Sequence, residues 1–349
     1  MKITKTTLLE MLGEAGARYV IPVYQRAYSW TESQCDAFWD DAVQTARDRR
    51  PHYTGVSLYR LGRSEGAGRS LILVDGQQRL ATATLLLAAM RDFVRDDDPE
   101  LADELNARYL TVETEEGRVP KIVLSRFDRP SMDAVVLGGE KPEGDRASAL
   151  VHQTYDRYIG KLKRSGADPR EVLRGLELFT IVMAQLEGED KPQLVYESLN
   201  AKGSPLRVSD LVRNLLLTRV GKEEQRRLFE LYWEPLETAF DELEERVMEQ
   251  RKTPIGVPPQ RRRAKVEGVV FDAALHAWAT RHIPRANMRT RTDMYGAFKK
   301  HLTGKLDMPL ERVLESISAT CLDFAGRIDS TYATTHIEWV MGKPEGFGG

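Results

Sequence analysis

Hydrophobic residues in the first 125 positions fall mainly in short apolar or alternating runs, and such runs predict β-strands. Four of these runs cover residues 18–24, 53–61, 70–74 and 119–124. Between them the apolar spacing is helical and predicts helices over 6–15, 33–48, 77–94 and 99–109. Beyond residue 146 the spacing is mostly helical, with helices predicted over 147–164, 169–187, 208–220 and 223–249. The pattern predicts an α/β (α+β) protein, in which a lobe with a small mixed sheet precedes a mostly helical region.

The stretch that joins the strand at 70–74 to the helix at 77–94 is the most informative. From Leu80 to Met90 this helix is apolar on nearly all sides, and only its first turn, Gln77 to Arg79, is polar. The free N–H groups and the positive dipole end of a helix lie in that turn, so it suits a phosphate. Gly76 would let the backbone approach closely, and Arg79 adds a fork-shaped cation. The alternative is a capped strand–helix turn with surface amides.

A second polar and aromatic cluster follows the first predicted strand. It places Tyr24, Gln25, Arg26, Tyr28 and Trp30 within seven residues. Arginine can hold a phosphate with two hydrogen bonds, aromatic rings can stack on bases, and glutamine can contact a base edge or orient a water. The alternative is that Tyr28 and Trp30 are core aromatics beside a surface arginine.

Charge is unevenly distributed along a chain whose net charge is only −2, so a globally basic nucleic-acid-binding protein is excluded. Residues 251–305 carry 13 Lys and Arg against 3 Asp and Glu, a balance of +10, and the remainder carries −12. This segment predicts contacts with the DNA backbone. The candidates are Arg251, Lys252, Arg261, Arg262, Arg263 and Lys265. The alternative is that the basic residues pair with the acidic helix at 223–249 or face a partner.

Several classes of protein are disfavoured by residues that the sequence lacks. Two cysteines give no disulfide framework and no Cys-based zinc site, and with no signal peptide or membrane-length apolar run they predict a cytoplasmic protein without a membrane partner. No Walker A element is present, which excludes a P-loop enzyme. The six histidines show no metal-site spacing, so no nuclease centre is expected in this chain. Residues 342–349 are interpreted as a linker or an artificial terminus.

Three motifs carry a resemblance to a known family. They are Ile-Pro-Val-Tyr-Gln-Arg-Ala-Tyr-Ser-Trp at 21–30, Asp-Gly-Gln-Gln-Arg at 75–79, and Ser-Leu-Asn-Ala-Lys-Gly-Ser-Pro-Leu at 198–206, which continues to Asn214. Over roughly residues 8–220 the chain resembles the N-terminal domain of GmrS/GmrD-type modification-dependent restriction proteins, a family with a ParB-like fold that includes the phosphorothioate-sensing defence effector SspE. The resemblance implies a ParB-like nucleotide-binding and sensor lobe at 1–140. A helical region at 141–341, which contains the basic segment 251–305, would follow.

The resemblance also implies a function in bacterial anti-phage defence. The domain would hydrolyse a nucleoside triphosphate, with GTP favoured and Mg²⁺ expected, and would couple hydrolysis to the sensing of modified double-stranded DNA, with phosphorothioate favoured. An HNH nuclease, on a C-terminal segment or a partner, would cut the DNA, and a second copy of the chain is a further candidate partner.

The implied site residues form three groups. The catalytic candidates are Asp75, also a candidate Mg²⁺ ligand, Gln77, Gln78 and Arg79. The nucleotide-binding candidates are Gly76, Gln25 and Arg26. The candidates for sensing the modification are Tyr24, Tyr28, Trp30, Lys202, Arg213 and Asn214.

Two other functions stay open at this point. The pocket could bind a DNA modification such as a glucosylated base without hydrolysis. The chain could instead be a ParB-like clamp on DNA that a nucleotide switches, although its Asp-Gly-Gln-Gln-Arg turn differs from the Gly-Glu-Arg-Arg type of ParB proteins.

Overall fold

The protein is described from a computed structural model. The described residues are 1–62, 68–115, 117–125, 127–143, 148–187, 207–250, 269–283, 286, 288, 290–303 and 309–327. The chain divides into two compact units, Met1–Leu199 and Asn200–Gly349, and each unit is described by itself. The predicted lobe boundary at residue 140 lies inside the first unit.

Eight strands and seven helices form the described part of the first unit. The strands are β1 (Lys2–Thr7), β2 (Ala17–Val20), β3 (His52–Leu61), β4 (Arg69–Asp75), β5 (Thr111–Thr114), β6 (Gly117–Pro120), β7 (Ile122–Val123) and β8 (Phe179–Gln185). The helices are α1 (Leu8–Leu12), α2 (Glu32–Asp48), α3 (Gln77–Val94), α4 (Pro99–Glu104), α5 (Arg129–Leu137), α6 (Ala149–Ser165) and α7 (Pro169–Glu177). A π-helical turn, Leu105–Leu110, follows α4.

Six of these strands form one mixed sheet in the order β1-β8-β3-β4-β2-β7. The β1–β8 and β3–β4 pairs are antiparallel, and β3–β8, β2–β4 and β2–β7 are parallel. Strands β5 and β6 form a separate two-stranded sheet. The α+β class with a mixed sheet, as predicted from the hydrophobic pattern, is confirmed.

Helix α3 is the buried centre of this unit. Fifteen of its eighteen residues are buried, and the main core cluster includes residues from both ends of it, from Leu80 to Val94. Leu71 and Leu73 of β4 belong to the same cluster, so the odd-numbered face of β4 packs against this core. The prediction of a helix buried on most sides is confirmed, and such a helix can offer polar groups to a ligand only at its ends.

Three predictions about secondary structure were wrong. The single strand expected over 119–124 is divided between β6 and β7, which belong to different sheets. The helix expected over 169–187 ends at Glu177, and Phe179–Gln185 is a strand that lies between β1 and β3. Its alternating burial places Phe179, Ile181 and Met183 in the core. Strand β1 was not predicted, because its residues are largely polar and it lies at the edge of the sheet.

The described part of the second unit is helical. It contains α8 (Val208–Leu217), α9 (Lys222–Leu228), a π-helical turn (Phe229–Trp233), α10 (Glu234–Gln250), α11 (Val269–His282), α12 (Arg291–Thr303) and α13 (Leu310–Arg327). Aromatic packing forms part of its core, with the rings of Phe240 and Phe271 stacked at 4.6 Å. Throughout the described ranges, no helix is both long and apolar enough to cross a membrane.

Candidate functional site

The turn between β4 and α3 has a backbone that only glycine suits. Gly76 has a φ of 94°, and a Cβ atom added there would overlap Ser57 Oγ and lie 3.0 Å from Ser57 Cβ. Gly76 is the N-cap of α3, and no side chain caps the helix there. The first-turn N–H groups of this long buried helix therefore have no side-chain cap, and they are the groups that the sequence predicts to hold a phosphate.

A glutamine pair connects the two sequence motifs. Gln25 Nε2 donates to the carbonyl of Val74 at 3.0 Å, and Gln25 Oε1 accepts from Gln77 Nε2 at 3.2 Å. Both side chains are buried, with exposed fractions of 5% and 6%. Among the described residues, Gln77 Oε1 has no hydrogen-bond partner, so Gln77 offers an acceptor that Gln25 holds in position.

Gln78 has a different environment from Gln77. Its Oε1 accepts the N–H of Ser29 at 2.8 Å, and its Nε2 donates to the carbonyl of Ala27 at 3.0 Å. The side-chain amide therefore bridges the backbone of residues 27–29 in both directions. This geometry makes Gln78 a positioning residue that fixes the segment after Arg26.

Tyr28 is held inside the unit. Its hydroxyl group shares a hydrogen bond of 2.7 Å with Thr82, and its N–H donates to Asp128 Oδ2 at 2.6 Å. Asp128 also accepts from Ser148 Oγ at 2.7 Å, and burial raises its pKa against the effect of these donors. The sequence analysis missed Asp128, because its function depends on a backbone N–H that is 100 residues away.

The other two aromatic residues of the first motif also pack inward. Trp30 is half-buried and meets Phe38 edge-on, with 5.9 Å between ring centroids. Tyr24 is 4% exposed, and burial raises the pKa of its hydroxyl group while the nearby Arg60 opposes that shift. In this conformation, Tyr24 and Tyr28 present little ring surface for stacking on a base.

The two motifs surround one small cavity of about 10 Å³. Its polar lining consists of Arg26, Gln77, Gln78, Ser125 and Asp128. Its apolar lining consists of Ile21, Tyr28, Ala81 and Leu124. The predicted meeting of the two motifs therefore exists in the structure. The cavity is far smaller than the roughly 300–1,000 Å³ of typical ligand pockets and has room for about one water molecule, so a phosphate or a nucleotide can enter it only if the lining moves.

Two arginines and one carboxylate lie at the mouth of the turn. Burial raises the pKa of Asp75, and the N–H of Gly76 and the cations Arg79 and Arg26 oppose this shift. Burial lowers the pKa of Arg79, and Asp75 opposes that shift. Arg79 also lies over Gly55, where an added Cβ atom would come within 2.9 Å of its Nη2. Within the described ranges, Arg26 has no hydrogen bond or ion pair, so its guanidinium group can accept an anion.

The surroundings of Asp75 limit how this residue could bind Mg²⁺. The described residues contain no group of three or more metal-ligating side chains. A single carboxylate is compatible with Mg²⁺ that arrives on a nucleotide, because this ion keeps several waters and often takes only one or two protein carboxylates. Asp75 fits that limited role.

A larger groove lies between α2 and α6, but its charged side chains are largely paired. Arg157 binds Asp36 with two hydrogen bonds and, despite burial, lowers the pKa of that carboxyl group to about 2. Lys161 is also paired with Asp36, at 2.9 Å. We interpret this groove as an ionic contact between two helices.

The remaining predicted residues lie in the second unit or outside the described residues. Arg213 is buried and forms ion pairs with Asp210 at 2.9 Å and with Glu237, and Asn214 is 8% exposed. Their predicted contact with DNA therefore has no exposed surface in this conformation. Lys202, Arg251, Lys252, Arg261, Arg262, Arg263 and Lys265 lie outside the described residues.

Comparison with known proteins identifies the domain that contains this site. A search of curated proteins found no match. The family model of the GmrSD restriction endonuclease, N-terminal domain, matches residues 8–217, which include both motifs and the strand–turn–helix between them. This match covers more than half of the chain and agrees with the resemblance seen in the sequence. The chain therefore belongs to the GmrSD restriction endonuclease family, and residues 8–217 are its N-terminal domain.

Proposed function

We propose that this domain hydrolyses a nucleoside triphosphate, with GTP favoured, at the N-terminus of α3. We further propose that hydrolysis is coupled to recognition of modified DNA, with phosphorothioate favoured. The observation that carries the proposal is the junction of the two motifs, where Arg26, Gln77 and the open helix end meet at one cavity. Membership of a restriction family makes DNA the expected target.

In the proposed site, phosphate binding, orientation of the attacking water and Mg²⁺ binding are functions of different residues. The first-turn N–H groups of α3, with Arg79 and Arg26, would hold the phosphates, because helix N-termini and guanidinium groups both favour anions. Gln77 Oε1 would orient the attacking water, as glutamine does in other nucleotide hydrolases. Asp75 would hold Mg²⁺, which would supply charge neutralisation on the phosphates. Gln78 would act through the 27–29 segment that carries Tyr28.

Phosphate release tests this proposal directly. The wild type is incubated with GTP, ATP or CTP, with Mg²⁺, and with phosphorothioate, glucosylated or unmodified duplex DNA. We expect the protein to release phosphate from GTP, and we expect phosphorothioate DNA to change the rate of this release. Gln77→Ala and Arg26→Ala should each lower the rate at least about tenfold, which corresponds to ~1.4 kcal/mol. Gln44→Ala, at an exposed glutamine on α2, is the matched control and should keep the wild-type rate.

A second function follows from the size of the cavity. At about 10 Å³ it has no room for a complete nucleotide, whereas opening it for a small modified group on DNA needs less movement of the lining. In this case the pocket binds the modification and performs no hydrolysis. Tight binding of one modified duplex, with no phosphate release from any triphosphate, would establish this second function and exclude the first.

DNA cleavage needs a further component in either case. The described residues hold no cluster of metal ligands, so we propose that an HNH nuclease outside the described part of this chain makes the cut. The sensor domain would then control when that nuclease acts.

A further inference from the structure

Two arginines on the sheet lack the partners that half-buried arginines usually have. Arg18 of β2 and Arg60 of β3 are both half-buried. The Nε atom of each is buried and has no hydrogen-bond partner. Within the described residues, neither guanidinium group forms a hydrogen bond or an ion pair. A buried donor without a partner is destabilising, and more so in a charged group, so an anion that accepted these hydrogen bonds would be bound favourably.

The register of the sheet places both arginines on one face. Arg18 pairs with Ser70, and Arg60 pairs with Ile72, on opposite sides of β4. Leu71 and Leu73 point into the core with α3, so Ser70 and Ile72 point the other way, and the two arginines point with them. The arginine Cα atoms are then two strands and two residues apart, roughly 12 Å, a span that two long side chains can close over β4.

The residues that lie between the two arginines on this face of the sheet are small or only partly polar. A Cβ atom at Gly62 would come within 2.9 Å of Ser70 Oγ and 3.2 Å of Ile72 Cγ1, so the side chains of these two residues pack closely against Gly62. Tyr24 lies near Arg60 and is the aromatic residue of the first motif that shares its surroundings. Asp133 is close enough to Arg18 for an electrostatic interaction, but its ion pair is with Arg129.

We propose that Arg18 and Arg60 form a phosphate-binding site on the face of the sheet opposite α3. The guanidinium group binds phosphate oxygens with two parallel hydrogen bonds, and Nε is one of the donors that such a pair uses. The ligand is a phosphate monoester or diester group. It comes either from the DNA backbone or from a nucleotide. This inference deepens the proposed binding of nucleotide and DNA and rests on it, but it does not require hydrolysis.

The test compares Arg18→Gln/Arg60→Gln with Arg69→Gln/Arg118→Gln, a control that removes the same charge from two exposed arginines paired with Glu14 and Glu113. Binding of an unmodified duplex is titrated at several salt concentrations, and binding of a fluorescent GTP analogue is measured in parallel. We expect the first double variant to lose at least about tenfold in DNA affinity. Its log–log salt slope should fall by roughly 1.8, because each phosphate contact contributes about 0.9.

The duplex titration and the GTP-analogue measurement together identify the source of the phosphate. Loss of duplex binding alone assigns the site to the DNA backbone, and loss of analogue binding alone assigns it to a nucleotide. Arg18→Lys/Arg60→Lys keeps the charge without the fork and should bind with intermediate affinity, which also tests the site if the glutamine variant unfolds. Unchanged binding in both arms, with a folded variant, overturns the inference. Phosphate release from GTP by the wild type is measured separately, so the binding results can be interpreted even if the protein does not hydrolyse GTP.

Discussion

Gln77 Nε2 donates a hydrogen bond of 3.2 Å to Gln25 Oε1, and this bond leaves Gln77 Oε1 as an acceptor at the start of α3. The neighbouring Gln78 instead uses both ends of its amide on the backbone of residues 27–29. Two adjacent and identical side chains thus have different partners, and each should respond differently to truncation.

We predict that Gln78→Ala lowers stability and hydrolysis together, whereas Gln77→Ala lowers mainly hydrolysis. Removing Gln78 leaves the N–H of Ser29 and the carbonyl of Ala27 without their partner, which costs about 1–3 kcal/mol of unfolding free energy. Urea unfolding and phosphate release measure the two effects. Equal losses of stability in both variants would contradict the division of roles.

We predict that Gly76→Ala is strongly destabilising, by more than about 3 kcal/mol, because both the positive φ and the overlap with Ser57 oppose a side chain. In Gly76→Ala/Ser57→Gly the overlap is removed and the φ strain stays. The double variant should therefore be more stable than the sum of the two single changes, and a double-mutant cycle by thermal unfolding measures that coupling. Strict additivity would show that Ser57 is not the obstacle.

We predict an acidic limit of hydrolysis set by Asp75. Burial raises the pKa of this carboxyl group, so the carboxylate is lost at a higher pH than an ordinary aspartate, and activity should fall as the pH drops through that raised pKa. Arg26→Ala removes a nearby cation that opposes the shift, so its limit should move to higher pH. The same raised pKa means that folding becomes less favourable as pH rises from the ordinary to the raised value.

The pH dependence of kcat/KM checks this prediction. Asp75→Asn should abolish the limit, while Asp103→Asn, at an exposed carboxylate on α4, should keep it. An unchanged limit in Asp75→Asn would assign it to another group.

We predict that Arg213→Met destabilises the second unit by about 3–5 kcal/mol, because the buried Asp210 and the half-buried Glu237 would lose their cation. The double change Arg213→Met/Glu237→Met should recover part of the loss, and thermal unfolding measures both. If Arg213→Met instead kept its stability and lost only the preference for modified DNA, the sensing function expected from the sequence would be supported.

We predict that the basic segment 251–305 provides affinity for DNA, whereas Arg26 provides discrimination between modified and unmodified DNA. Charge reversal of Arg261, Arg262 and Arg263 should weaken modified and unmodified DNA alike and reduce the salt dependence, because phosphate contacts carry no sequence information. Arg26→Ala should instead remove the preference for modified DNA and leave background binding. Titrations at two salt concentrations measure both effects, and an unchanged salt slope after the triple reversal would exclude the segment as the DNA contact.

The sequence predicted the site region closely. Helix α3 was predicted with its observed limits, and strand β4 to within one residue, because a continuous apolar run followed by Asp-Gly has few other structures. The caps of α2 by Thr31 and of α4 by Asp98 before Pro99 also follow from residues next to the helix ends. Local signals of this kind act over a few residues and need no knowledge of the fold.

Long-range features were less accessible. The apolar residues from Leu173 to Met183 fit helical spacing, and the β-branched Thr180, Ile181 and Val182 were the signal for the strand that replaced the end of that helix. The hydrogen bond from Ser29 to Gln78 joins residues that are 49 positions apart, and the one from Tyr28 to Asp128 joins residues that are 100 positions apart. No periodicity encodes such contacts.

The pairing of β1 with β8 has a consequence for how the protein is made. Lys2 pairs with Gln185, so β1 cannot pair with its neighbour until β8, the last strand of this sheet in the sequence, has been synthesised. At about 5–20 residues per second, ribosomes need on the order of 10–40 s to reach that point. Until then the edge of β3 is open to pairing with other nascent chains. A fragment that stopped at residue 140 would contain both motifs yet lack β8, and we expect it to aggregate rather than report on the activity of the site.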